Sequence, residues 1–227
     1  MFYKKLFSYL IPALFISACS GHDLPDYTIL SDETLAPFKR TVEVKLDGRV
    51  SEEELTAIAK KLKSLDRKSY DRTFISYEIE GEPTNDIGMS YAISHYDPDL
   101  EIQFLGVSRE EQVVLWENIE KLETESLTGK VLGRWYNYGR PGSVYVVEQN
   151  DEGFIFHHVY PKVTTKEDNW GPISETFRAE WDGDAMKFFD PCCDGEWYKR
   201  LPNGEMRFQS DHGSDRMMPK AIRPENP

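Results

Sequence analysis

Val42, Val44 and Leu46 alternate with Thr41, Glu43 and Lys45, the period of two expected of a strand with one buried face, and the turn pair Asp47-Gly48 closes it. The period then changes. Leu55, Ile58, Ala59, Leu62 and Leu65 recur at intervals of three and four, so one helical face is apolar. Ser51 and Glu54 form a capping box at its start, and lysines gather toward its end, where they complement the helix dipole. Alternation returns in three predicted strands, Thr73 to Glu80, Met89 to Tyr96 and Leu100 to Leu105, the last two joined by Asp97-Pro98-Asp99. One helix lying on one face of such a sheet makes a small α/β sandwich over residues 38–106.

Ser108 and Glu111 form a second capping box, which opens a helix with Leu115, Ile119 and Leu122 on one side; it is expected to bridge two blocks across residues 107–129. The remainder, residues 130–216, has the short alternating runs and frequent turns of an antiparallel β domain. Strands are predicted at Val131 to Asn137, Ser143 to Glu148, Phe154 to Tyr160, Ile173 to Trp181, Ala185 to Phe189, Glu196 to Leu201 and Glu205 to Gln209. Asn150 to Gly153, Asp182-Gly183-Asp184 and Asn203-Gly204 supply hairpin turns. The fold class is therefore α+β: a small α/β sandwich, one bridging helix, and a β-rich meander curled into a half-barrel or barrel. Gly133-Arg134-Trp135 resembles the opening of lipocalin-like barrels.

The chain begins differently. Lys4 and Lys5 precede an apolar run from Leu6 to Ala18, the layout of a secretory signal and shorter than the roughly 20 residues needed to span a bilayer. Ile16-Ser17-Ala18-Cys19 resembles the lipobox of bacterial lipoproteins. The resemblance implies cleavage before Cys19, removal of residues 1–18, acylation of Cys19, and attachment to a membrane in the cell envelope. A single acyl chain binds only marginally, so the second and third chains typical of the family are needed for a stable anchor. Ser20 stands where an inner-membrane retention signal would place Asp, which favours the periplasmic face of the outer membrane. Residues 19–37 read as a lipidated polar tether and 217–227 as a flexible tail. Tyr70 to Tyr77, Ala92 to Tyr96 and Ile102 to Gly106 resemble a pattern found in uncharacterised exported bacterial proteins, a likeness that carries no activity.

Removing residues 1–18 takes away two lysines and no acids, leaving 25 basic against 40 acidic residues and a formal charge of −15. Such a field argues against nucleic acid, which is bound through clustered Lys and Arg, and it favours a basic protein partner.

Cys192 and Cys193 remain after lipidation, within Asp190-Pro191-Cys192-Cys193-Asp194-Gly195-Glu196. Adjacent α-carbons lie about 3.8 Å apart, below the usual disulfide range, while exported proteins seldom keep free thiols. A structural role (buried or bridged), a redox or intermolecular role, and a metal role all stay open for this pair. The nearby carboxylates lack the spacing of a calcium loop. His157 and His158 are neighbours on a predicted strand and so face opposite sides, which keeps them from gripping one ion. No nucleophile elbow, phosphate loop or zinc-protease helix occurs, so no catalytic residue, cofactor or metal site is read from the sequence. The many rings, among them Trp135, Tyr145, Phe156, Phe177, Phe188 and Tyr198, are expected to fill the core of the curled sheet more than to line a ligand cleft. Three functions are compatible with these readings: a non-catalytic envelope lipoprotein that binds a protein or ligand, an acidic inhibitor or immunity-like protein, and a metal-dependent enzyme using His157 or His158.

Overall fold

A computed structural model describes residues 24–65, 68, 70–82, 90–139, 142–161 and 173–224. Strands β1 (Tyr27–Leu35) and β2 (Lys39–Leu46) form a hairpin, α1 (Glu52–Leu65) crosses over, and β3 (Arg72–Ile79) returns parallel to β2. β4 (Ala92–Tyr96) and β5 (Leu100–Phe104) extend the sheet in the order β1-β2-β3-β4-β5. The alternation that predicts β2 also aims Val42, Val44 and Leu46 at Leu55, Ile58, Ala59 and Leu62 of α1, all fully buried. The α1 capping box is formed: Ser51 N–H donates to Glu54 Oε2 at 2.7 Å, and Glu54 N–H donates to Ser51 Oγ at 3.0 Å.

Helix α2 (Arg109–Glu125) also starts on its predicted capping box, at Ser108 and Glu111. Its apolar side, Leu115, Ile119 and Leu122, is buried in the same cluster as the α1 side chains and the outward-facing Val144, Val146 and Val159 of the second sheet. The bridging helix is thus a shared wedge, and the two blocks close over one core.

Eight antiparallel strands follow as a meander: β6 (Lys130–Asn137), β7 (Ser143–Asn150), β8 (Gly153–Val159), β9 (Ile173–Asp182), β10 (Ala185–Phe189), β11 (Glu196–Arg200), β12 (Met206–Ser210) and β13 (Asp215–Met218). The ends of the meander meet. Tyr136 N–H of β6 donates to Pro219 O at 2.8 Å, and Ala221 N–H donates to Arg134 O at 3.0 Å, so the sheet is a nearly closed barrel. The α+β class with a β-rich, barrel-like second half agrees with the sequence reading.

Two expectations are corrected. The segment read as a polar tether contains β1, paired with β2 over its whole length; the strand is almost entirely exposed and carries a bulge between Ile29 and Ser31, which erases the alternation that would reveal it. The segment read as a flexible tail begins with the end of β13 and runs on through Pro219 and Ala221, whose backbone completes the barrel seam; Pro219 breaks the pattern, yet its carbonyl is the acceptor the seam uses. The predicted signal sequence, Cys19 and the first part of the predicted strand at Met89 lie outside the described residues. No helix among the described residues is long and apolar enough to cross a membrane.

Candidate functional site

The barrel interior is occupied by its own side chains. Phe156 stacks on Phe177 with ring centres 4.1 Å apart and meets Phe188 edge-on at 5.2 Å, and Tyr198 packs against Phe208 at 5.3 Å. Trp135 closes the end near β12, donating from its indole nitrogen to Gly204 O at 3.3 Å. These rings fill the lumen, as expected from the sequence. Not every ring is inside: Phe189 and Trp197 lie beneath the Arg178 and Lys187 cations on the outer surface, and Trp181 is exposed.

His157 and His158 face opposite sides of β8. The His158 ring is inside, against Tyr145 at 4.5 Å and Tyr160 at 4.3 Å. Its Nε2 shares a hydrogen bond with Ser143 Oγ at 2.5 Å and its Nδ1 with Tyr160 OH at 2.9 Å. Burial pushes its pKa down to about 4, so the ring is neutral near pH 7. His157 lies outside, beneath the α2-to-β6 connection, with Glu148 on one side and Ser174 on the other. Its Nε2 is 3.0 Å from Glu148 Oε2 and its Nδ1 is 2.8 Å from Ser174 Oγ. Glu148 is only 2% exposed and His157 6%. The other carboxylate oxygen accepts the backbone N–H groups of Thr128 and Gly129. Burial alone would raise the Glu148 pKa; the donors His157, Thr128 and Gly129 outweigh it and hold the carboxyl below its ordinary range. An ionised carboxylate only accepts, so His157 Nε2 donates to Glu148, while Nδ1 and the Ser174 hydroxyl share the second hydrogen bond. All four imidazole nitrogens of the pair therefore have protein partners, and the arrangement ties a connection to the barrel wall.

A second cluster joins the blocks. The Arg49 guanidinium lies 3.8 Å from the Tyr136 ring centre, donates to Val107 O at 2.9 Å and pairs with Glu82 at 2.7 Å. Tyr138 OH also donates to Glu82. Planar stacking, with two nitrogens donating to two different acceptors, is what arginine supplies and lysine does not.

The Cys192-Cys193 pair sits on the turn between β10 and β11, with Cys192 exposed, Cys193 half-buried and both thiols free. The two Sγ atoms are 2.7 Å apart, and Asp190 Oδ1 accepts the Cys192 N–H at 2.9 Å. The Cys193 thiol and the Asp190 carboxylate push the Cys192 thiol up to about 12, the opposite of the low pKa that activates redox nucleophiles. The Asp190, Cys192 and Cys193 ligand atoms all lie within 4.8 Å of one another. The sequence placed the carboxylates of Asp190, Asp194 and Glu196 near the two cysteines; the turn geometry groups Asp190 with both thiols.

The first sheet contributes a surface that sequence reasoning missed. Among the described residues β1 pairs on one side only, leaving its other edge unmatched. Ile29, Leu30, Leu35 and the adjoining Phe38 are exposed there, Leu35 by 67% and Phe38 by 60%. No lysine or proline interrupts Tyr27–Leu35; the edge-blunting features it does carry are Asp32, Glu33 and the bulge between Ile29 and Ser31.

Comparisons with protein families, with curated proteins and with solved structures returned no match.

Proposed function

We propose that the chain is a lipid-anchored bacterial envelope protein, cleaved before Cys19 and held on the periplasmic face of the outer membrane, that acts without catalysis by binding another protein. The observation that carries the binding role is the edge of β1 that no strand among the described residues pairs. An exposed edge bearing Ile29, Leu30 and Leu35 offers backbone donors and acceptors together with apolar side chains, the combination used when a partner adds a strand. The filled barrel lumen supports the same reading, because it turns binding outward. If Cys19 is acylated, the seven residues between it and Tyr27 reach at most about 25 Å, which keeps β1 close to the bilayer and selects partners at the membrane.

The test is to tag the protein at its C-terminus, cross-link it mildly in its host and identify what co-purifies from solubilised membranes, in parallel with Cys19→Ala and with a Leu30→Lys/Leu35→Lys variant. One partner recovered with the unaltered chain and lost with the edge variant is expected. A partner retained by the edge variant, or none recovered, refutes the strand-addition role; membrane attachment of Cys19→Ala refutes the anchor.

A second reading, an acidic inhibitor of a basic exported protein, is supported by a groove of about 1240 Å³ between α1 and α2. It is lined by Glu52, Glu53, Glu110 and Glu111, with Lys60 its single basic residue. First-turn glutamates also serve the helix dipole, so this reading stands second. Its mark is association that weakens steeply with salt; salt-insensitive association excludes it.

A further inference from the structure

We propose that the β10-to-β11 turn binds a thiophilic divalent cation, zinc(II) in the first instance, through the Asp190 carboxylate and the thiolates of Cys192 and Cys193. Three ligand atoms from three residues already lie within 4.8 Å of one another, so one ion can touch all of them after side-chain rotation alone. The backbone beneath them is fixed. Asp190 N–H donates to Glu196 O at 3.1 Å, Glu196 N–H to Cys193 O at 3.1 Å, and Asp211 N–H to Gly195 O at 2.8 Å, while Gly195 takes the positive φ of 84° that the turn requires. The ligands therefore project from a hairpin anchored to three strands.

The chemistry of the donors selects the ion. Two sulfurs disfavour calcium and magnesium, which take oxygen ligands, and suit zinc, whose bonds to sulfur and carboxylate oxygen are about 2.3 Å and 2.0–2.2 Å. Tetrahedral bonds of that length separate two sulfurs by about 3.8 Å, against 2.7 Å between the Sγ atoms here; the exposed Cys192 side chain can open by the difference. Binding releases the two thiol protons to solvent, and zinc(II), two thiolates and one carboxylate sum to a singly negative centre. Three protein ligands leave the fourth position to water or to a group from a partner.

The full chain, with its thiols kept reduced by a phosphine, is titrated with zinc(II) against a chromophoric chelator, and separately with cobalt(II) to read thiolate-to-cobalt absorption. One equivalent bound per chain is expected, with an ultraviolet charge-transfer band in the cobalt form. Cys192→Ser and Cys193→Ser should each weaken binding about a hundredfold and Asp190→Asn about tenfold, with the melting temperature of the metal-free chain unchanged because the turn is exposed. Stoichiometry below one equivalent, equal binding by a Cys192→Ser/Cys193→Ser chain, or recovery of the protein from its host with Cys192 bonded to Cys193 overturns the proposal.

Discussion

Gly133→Ala places one methyl group where the barrel has no room for it. A Cβ on Gly133 would lie 2.3 Å from Trp135 Cη2 and 2.7 Å from Cζ2, against the 3.5–4.0 Å at which carbon atoms normally rest (about 1 Å of overlap or more). The indole is rigid and 1% exposed, so it must swing out of the cluster containing Val147, Phe156 and Phe188 and give up its bond to Gly204 O. Overpacking of this kind costs roughly 1–3 kcal/mol, and the stiffness of the ring places it at the upper end. For a chain of this size each kcal/mol lowers the melting temperature by about 2–4 °C, so a fall on the order of 6–12 °C is expected. The double-mutant cycle supplies the sharper test. Trp135→Ala alone should cost about 3–5 kcal/mol; added to it, Gly133→Ala has nothing left to strike and should be near neutral. Additive effects of the two substitutions in urea melts, or an unchanged melting temperature for Gly133→Ala alone, would refute this account of the pair.

Three further outcomes follow from the polar clusters. Arg49→Met leaves Glu82 and Val107 O without their shared donor and should cost about 3 kcal/mol, read as a lower urea midpoint; an unchanged midpoint would mean that Arg49 does not latch the blocks together. His158 has a folded pKa of about 4 against an ordinary 6.5, so between those values the unfolded chain binds the proton and the folded chain does not. Its contribution is complete above about pH 6.5 and is lost as pH falls toward 4, at most on the order of 3 kcal/mol; His158→Asn should flatten that slope, and an unaltered slope would count against a buried neutral ring. For Glu148 the folded pKa lies below its ordinary 4.5, so its contribution is present above that value and lost as pH falls below it. Glu148→Gln should remove this acid-side loss at a cost of about 1–3 kcal/mol and speed amide exchange at Thr128 and Gly129; exchange as slow as in the unaltered chain would show that the carboxylate does not hold the connection.

Legibility along the chain follows the strength of burial. The stripe Leu55, Ile58, Ala59 and Leu62 and the two capping boxes predict α1 and α2 because one face meets a core and each start is fixed by a local hydrogen-bond exchange. The barrel strands are legible for the same reason: in β7, Val144 and Val146 face the helices while Tyr145 and Val147 face the lumen, and hairpin turns punctuate each run. β1 buries too little to leave a pattern, and its bulge shifts the register where a period of two would appear. Barrel closure depends on backbone groups of Tyr136, Pro219, Arg134 and Ala221, which side-chain periodicity does not report.

The site was legible only in part, because a sequence exposes faces and neighbours more readily than partners. Opposite facing of His157 and His158 follows from strand geometry alone, and the structure places them so. What it adds are distant partners: Glu148 and Ser174 for one ring, Ser143 and Tyr160 for the other. Those bonds change the weight on the histidines, since a ring held at both nitrogens must break a bond before it can bind a metal ion. The cysteines gain weight in the same comparison. Their turn is exposed, its backbone is fixed by the hairpin, and its third ligand comes from two residues away, so occupation by an ion needs rotation of surface side chains and no opening of the core. A metal role for this chain is therefore sought first at Asp190, Cys192 and Cys193, while His157 and His158 are tested as supports of the barrel wall.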